Sequence, residues 1–210
     1  MKVLLVNGGP HENGCTYTAL KEVESSLIKA GIETEIFWLG SEPVRGCAAC
    51  GGCRTTGKCV FDDVVNVLLE KTKNADGFVF GSPVHYASPA GNLLSFMDRL
   101  FFVGSYEGKK VFHHKPAAAV VSARRGGNTA SFDALNKYFT ISEMPVVGSC
   151  YWNMVHGMNA DEVRQDAEGL RTMRVLAHNM AWLLRSIEAG KQAGVALPTE
   201  EAPAVTNFIR

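Results

Sequence analysis

Short apolar runs that end in glycine or proline and feed helix-period segments recur along this chain. That alternation constrains the fold more than any other feature. Residues 2–6 are the first run: Val3, Leu4, Leu5 and Val6 stand together and are closed by Asn7-Gly8-Gly9. A run this short, apolar at every position, fits a parallel strand buried on both faces. Residues 16–30 follow with Ala19, Leu20, Val23, Leu27 and Ile28 at helical spacing, and Gly31 stops the helix. Ile32, Thr34, Ile36 and Trp38 alternate through a second strand, residues 32–39. Residues 77–81, 116–121 and 145–148 read as three more strands. Residues 90–102, 129–142 and 160–189 read as helices, and Asp62-Asp63 open another that ends near residue 74. Asn159 and Glu162 form a capping pair before the last helix. Five strands alternating with five helices predict an α/β fold: a doubly wound, five-stranded parallel sheet in three α/β/α layers.

A length of 210 residues suits one domain with a modest appendage. Hydrophobic residues at 46% and charged residues at 20% exclude global disorder. Lys+Arg and Asp+Glu both number 21, so a nucleic-acid partner held by bulk charge is not expected. No apolar stretch is long enough to span a membrane, and the N-terminal run is too short for a signal peptide. The expected location is the cytoplasm. There, clustered cysteines read as metal ligands or redox groups rather than structural disulfides.

In doubly wound sheets, ligands sit outside the carboxyl ends of the strands, where strand order reverses. Residues 8–16, 82–89 and 122–128 should therefore converge. The first loop leads from a strand into a helix N-terminus, where free N–H groups and the helix dipole favour a phosphate. Thr16 and Thr18 add hydroxyl donors. No Gly-Lys-Ser/Thr follows and the spacing is not GxGxxG, so this is neither a P-loop nor a dinucleotide fingerprint. A plain glycine-containing βα turn is the alternative. The second loop, Ser82-Pro83-Val84-His85-Tyr86, carries two rings. The third, Ser122-Ala123-Arg124-Arg125-Gly126-Gly127, permits close backbone approach to a flat ligand. A phosphate cradle with two loops able to flank a ring suggests a mononucleotide cofactor.

Cys47, Cys50, Cys53 and Cys59 fall within thirteen residues of a Gly-rich segment, 46–59. Four thiolates so placed can wrap an iron–sulfur cluster. Zinc and a redox-active disulfide are the other readings. Cys150 reads as a small buried residue ending the fifth strand, and Cys15 as a loop residue at a helix N-terminus that lowers a thiol pKa.

The first loop is similar to a Gly-Ser-Pro-Arg-x-x-Gly-x-Thr consensus. With the Ser82–Tyr86 segment and the helix Gly91-Asn92-Leu93-Leu94-Ser95-Phe96-Met97-Asp98-Arg99, the chain resembles the flavodoxin-like NAD(P)H-dependent FMN reductases. The cysteine spacing resembles the iron–sulfur flavoprotein branch of that family. The resemblance implies strand order 2-1-3-4-5 and a flavodoxin-like FMN-binding domain over residues 1–189. The cysteine segment is inserted after the second strand, and residues 190–210 form an extended tail. It also implies FMN held by Gly9, Pro10, His11, Cys15, Thr16, Pro83, Val84, His85, Tyr86, Arg125 and Gly126, and a 4Fe–4S cluster held by Cys47, Cys50, Cys53 and Cys59. Gly9 replaces a usual Ser and His11 a usual Arg, which shifts phosphate binding toward backbone amides.

The implied function is an FMN-dependent oxidoreductase. It would pass electrons from NAD(P)H or a reduced redox partner to a quinone, flavin or protein acceptor. An electron carrier without a small-molecule substrate and a redox sensor acting through the cysteine loop are the alternatives. A homodimer or homotetramer is expected. Hydride transfer to a flavin needs no obligatory side-chain acid, so no catalytic residue is assigned.

Other residues have two readings each. His85 either lines the site or donates a proton, and Arg124 and Arg125 either meet an NAD(P)H phosphate or face solvent. His113-His114 read as a surface turn, and Trp182 as core or subunit interface. In the tail, Val205, Phe208 and Ile209 suggest docking on a neighbouring subunit.

Overall fold

A computed structural model of the chain describes residues 1–105, 110–202, 204, 206 and 208. The central sheet is built on β1 (Lys2–Asn7), flanked by β2 (Glu33–Trp38) and β3 (Gly77–His85). Beyond β3 lie β5 (Ala117–Ala123) and then β6 (Met154–His156), all parallel. The short β4 (Ser88–Pro89) folds back antiparallel on the end of β3. Setting that hairpin aside, the sheet order β2-β1-β3-β5-β6 is the expected flavodoxin-like one. The helices are α1 (Cys15–Lys29), α2 (Gly52–Thr56), α3 (Val64–Thr72), α4 (Gly91–Gly104), α5 (Asn128–Ile141), α6 (Ala160–Gln165) and α7 (Ala167–Gln192).

Strand pleating divides the core between two faces. Leu4, Val6, Phe78 and Phe80 face α3, α4 and α5, in a cluster with Leu68, Phe96, Leu100 and Phe139. Val3, Leu5, Val79 and Val120 face the other way, against Leu20, Val23, Leu176 and Met180 of α1 and α7. Side chains on both faces are fully buried, which is why these strands are apolar without alternation. Among the described residues no helix is long and apolar enough to cross a membrane.

Four expectations are corrected. The fifth strand is β6, not residues 145–148. Val146 makes a single bridge to Ala117, after which residues 148–153 leave the sheet and the chain returns beside the far half of β5. Pro145 has no N–H to extend a ladder and Gly148 no side chain to pack in one, so the apolar Val146-Val147 pair anchors the chain without forming a strand. Cys150 lies in that excursion and is exposed. The long C-terminal helix is two helices, broken at Asp166. The Asp166 side chain caps α7 by accepting from Gly169 N–H at 2.9 Å and also accepts from His156 N–H at 2.7 Å. Finally, α7 runs to Gln192, so the tail begins later than residue 190. Phe208 is exposed, while Val205 and Ile209 lie outside the described residues.

Candidate functional site

The cleft is built by strand ends. Asn7, fully buried, closes β1 and organises the loop after it. Its Oδ1 accepts from Gly9 N–H at 3.0 Å, and its Nδ2 donates to the Glu12 carbonyl at 3.1 Å. From the end of β2, Trp38 Nε1 donates to the Gly9 carbonyl at 2.9 Å. Gly8 N–H donates to the Gly81 carbonyl at 2.9 Å, locking the loop to β3. Gly81 must be glycine: a Cβ there would stand 2.8 Å from Thr16 Cγ2 and 2.9 Å from Leu20 Cδ1. That absence lets α1 lie close on the sheet with its N-terminus at the carboxyl edge.

These elements enclose a cleft of about 280 Å³. Gly9, Pro10, His11, Gly14, Cys15 and Thr16 form one wall, and Pro83, Val84 and His85 at the end of β3 form another. Ser122, Ala123 and Arg124 follow β5, and Gly157 and Met158 follow β6. None of the lining residues is acidic, whereas His11, His85 and Arg124 carry actual or potential positive charge. The α1 N-cap, Gly14, supplies no side-chain bond and the first turn holds no acidic residue. By contrast, Asp63, Asn159 and Asp166 cap α3, α6 and α7 with their own side chains. The first-turn N–H groups of α1 are thus left for an external acceptor.

Thr16 is buried, and its Oγ1 lies 2.9 Å from Ser122 Oγ, tying the first loop to β5. Thr18 does not serve as an external donor, because its hydroxyl donates to the Gly14 carbonyl at 3.0 Å. Cys15 Sγ donates to the Gly157 carbonyl at 3.6 Å, and burial pushes its thiol pKa up, opposite to the expected helix-terminus effect.

Eight of the eleven expected flavin-site residues therefore line one cleft: Gly9, Pro10, His11, Cys15, Thr16, Pro83, Val84 and His85. Three do not. Tyr86 sits at the tip of the β3–β4 hairpin with φ +57° and full exposure. Arg125 and Gly126 are exposed on the β5–α5 loop, where Arg124 takes the lining position. Asn7 and Ser122, each a polar residue near the carboxyl end of an apolar strand, fall at or in the expected loops but were not among the residues assigned to the flavin site. Gly157 and Met158 were missed because the strand before them was misplaced.

The cysteine segment lies beside α4. Cys53 is in α2, with Cys47 and Cys50 exposed before it and Cys59 half-buried after it. Asn66 of α3 clamps Cys59: its Oδ1 accepts from Cys59 N–H and its Nδ2 donates to the Cys59 carbonyl, both at 2.9 Å. All four cysteines line a single cavity of only about 20 Å³, walled by Phe61, Arg99 and Val103. Burial pushes the Cys53 thiol pKa up, and the sulfurs of Cys50, Cys47 and Cys59 act in the same direction. Yet among the described residues no three or more His, Cys, Asp or Glu side chains are arranged to hold a metal ion. The cavity holds about one water, so the thiols are gathered but not spread around an occupant. The donor set itself, four thiols on a Gly-rich loop facing one cavity, is of the chemical type that holds an iron–sulfur cluster.

Comparison with known proteins bears on the fold and the family. Residues 1–159 match the family model described as NADPH-dependent FMN reductase. An iron–sulfur flavoprotein of Methanocaldococcus jannaschii is 31% identical over 195 residues, which cover 90% of this chain and 100% of that protein. Among solved structures, RosB with a bound 8-demethyl-8-formylriboflavin-5'-phosphate intermediate superposes with a TM-score of 0.71 at 16% identity, covering 100% of this chain and 92% of that one. An archaeal flavodoxin superposes with a TM-score of 0.59 at 14% identity, covering 88% and 99%. With a flavodoxin-like sheet, a cleft where its strand order reverses and a family match over three quarters of its length, the chain belongs to the NADPH-dependent FMN reductase family.

Proposed function

We propose that this chain is an FMN-dependent oxidoreductase. It passes electrons from NAD(P)H or a reduced redox partner to a quinone, flavin or protein acceptor. The observation that carries this reading is the acid-free cleft at the uncapped N-terminus of α1. An anion gains there from both the helix dipole and the unpaired N–H groups. The loop of Gly9, Pro10, His11, Cys15 and Thr16 would hold the FMN phosphate. Pro83, Val84 and His85 would present a ring-binding wall, with Tyr86, Arg125 and Gly126 at the rim. FMN, when bound, supplies two-electron exchange with a hydride donor and one-electron exchange with a metal centre or protein. The role of the side chains is to orient and to keep water away. Pro83, Val84 and Ala123 supply apolar surface, while His85 stands exposed where it can hydrogen-bond a substrate. Cys47, Cys50, Cys53 and Cys59 would hold a 4Fe–4S cluster, which exchanges single electrons.

The test is steady-state oxidation of NADPH and of NADH by anaerobically prepared, FMN-loaded protein with a quinone acceptor. Turnover well above that of the same concentration of free FMN is expected. Tight FMN binding without such turnover would move the assignment to an electron carrier fed by a protein partner. No FMN retention would overturn the reading. Iron and sulfide analysis of the same sample tests the cluster separately, and stoichiometric zinc without iron would remove it.

A further inference from the structure

Helix α4 grips the segment before and around the cysteines with one face. Asn92, in its first turn, accepts from Val44 N–H at 3.2 Å and donates to the Glu42 carbonyl at 3.1 Å. Two turns further along the same face stands Arg99, whose side chain is only 1% exposed. Its Nε and Nη2 donate to Cys59 Sγ at 3.2 and 3.1 Å. Its Nη1 and Nη2 also bind the two carboxylate oxygens of Asp63 at 2.6 and 2.9 Å, and Nη1 donates to the Arg45 carbonyl at 3.1 Å. The guanidinium carbon lies 5.0 Å from the centre of the Phe61 ring.

A buried guanidinium is costly unless it is paired and every N–H finds an acceptor. Asp63 provides the paired charge, yet two N–H groups are aimed at a sulfur. A neutral thiol is a weak acceptor, so two charged donors there suit a sulfur that carries negative charge, as a metal-bound thiolate does. Hydrogen bonds to ligand sulfurs and fixed nearby charge are the levers by which a protein sets a cluster's potential.

We propose that Arg99 is the positioning and tuning residue of the four-cysteine site: it fixes Cys59 as the anchored ligand and raises the reduction potential of the cluster. Asp63 limits that effect by neutralising part of the charge. The proposal rests on the iron–sulfur reading of the four cysteines. Reduction adds one electron and no proton, so the cluster becomes more negative by one unit. Arg99 therefore stabilises the reduced form more than the oxidised form.

The experiment compares wild type with R99Q, R99K and D63N after anaerobic reconstitution with iron and sulfide. Iron and sulfide per chain are measured first, and the cluster is then titrated with dithionite while EPR follows the reduced form. Asparagine is a good helix cap, so D63N should keep the start of α3. R99Q should make reduction about tenfold less favourable, equivalent to about 59 mV for a one-electron couple. R99K should fall between R99Q and wild type, and D63N should shift in the opposite direction to R99Q. The potential of bound FMN should stay the same in all four proteins. Opposed shifts from two halves of one ion pair would not follow from loosening the loop, since both changes loosen it. Full loading of all four proteins with one common potential would overturn the proposal and leave the cluster reading intact. If R99Q fails to load, D63N decides alone: an upward shift supports the proposal and an unchanged potential overturns it. Failure of wild type to take up iron overturns the cluster reading and the proposal with it.

Discussion

The cleft and the cysteine segment both draw their residues from loops, but they are held in different ways. In the cleft, strand ends do the positioning. Asn7, Trp38, Gly81 and Ser122 fix the first loop from four different strands, and the bonds involved are short and largely buried. The cavity measures about 280 Å³. In the cysteine segment only Cys59 is tied from both sides, by Asn66 and Arg99, while Cys47 and Cys50 are exposed. Its cavity is about 20 Å³. The first site is preorganised by topology. The second is a set of donors on a Gly-rich tether, held mainly through Cys59. Metal binding and local ordering are coupled in such segments.

The sharpest way to break this comparison is Cys50→Ala. Iron uptake should fall at least about tenfold, whereas FMN affinity and thermal stability should stay at wild-type values, because a change on an exposed segment costs little. Inductively coupled plasma analysis and flavin fluorescence titration on one sample read both. A parallel loss of FMN would show that the two sites are not independent.

Gly81→Val is the converse. Overpacking against Thr16 and Leu20 should lower stability by about 1–3 kcal/mol and weaken FMN binding, leaving iron uptake per folded chain unchanged. Denaturant melts and flavin titration check it. Unchanged FMN affinity would mean that the position of α1 does not control the phosphate site.

Asn7→Ala should cost a similar amount but act more locally. It leaves Gly9 N–H and the Glu12 carbonyl without their partner, costing about 1–3 kcal/mol in a buried setting. Loop disorder should raise the FMN dissociation constant more than it lowers the melting temperature.

The smallest effect concerns the frame behind the cysteine segment. Glu35 of β2 accepts from Lys71 of α3 at 2.7 Å and from Lys2 of β1 at 2.9 Å. These bonds, that from Lys71 foremost, hold its carboxyl below the ordinary carboxylate pKa. A carboxyl depressed in the folded state contributes stability above its unfolded pKa and loses it as pH falls through the folded value. Glu35→Gln should therefore cost under about 1 kcal/mol at neutral pH, for a pair this near the surface. The difference from wild type should shrink as pH falls past the ordinary carboxylate range and vanish only below the lower folded value, where the carboxyl is protonated in both states. A pH-independent difference would mean that packing, not charge, ties α3 to the sheet.

Much of this architecture was legible in the chain. The runs at residues 2–6, 77–81 and 116–121 are apolar at every position because both faces of the sheet are covered. The helices between them keep a clear 3.6-residue period. Capping chemistry was also local enough to read: Glu162 N–H donates to Asn159 Oδ1 at 3.0 Å, as the spacing required. What failed involved long-range choices. Val146-Val147 looked like a strand, but the edge of β5 accepts the chain for one residue there and for three at Met154–His156. The apparent single C-terminal helix breaks because the Asp166 carboxylate serves two backbone N–H groups, one of them ten residues away on β6.

The amino-acid sequence alone determined the fold class, the sheet order through its family likeness, the glycine-rich first loop and the presence of four clustered thiols. These follow from hydrophobic period, turn chemistry and spacing, which act over a few residues. Only the tertiary structure decided which loop residues face the cleft, that Tyr86 projects into solvent, and that Arg99 reaches Cys59 across forty positions of chain. Those outcomes depend on how α4 and the strand ends pack together, and no local pattern encodes the distance between residues that meet only after the sheet has formed.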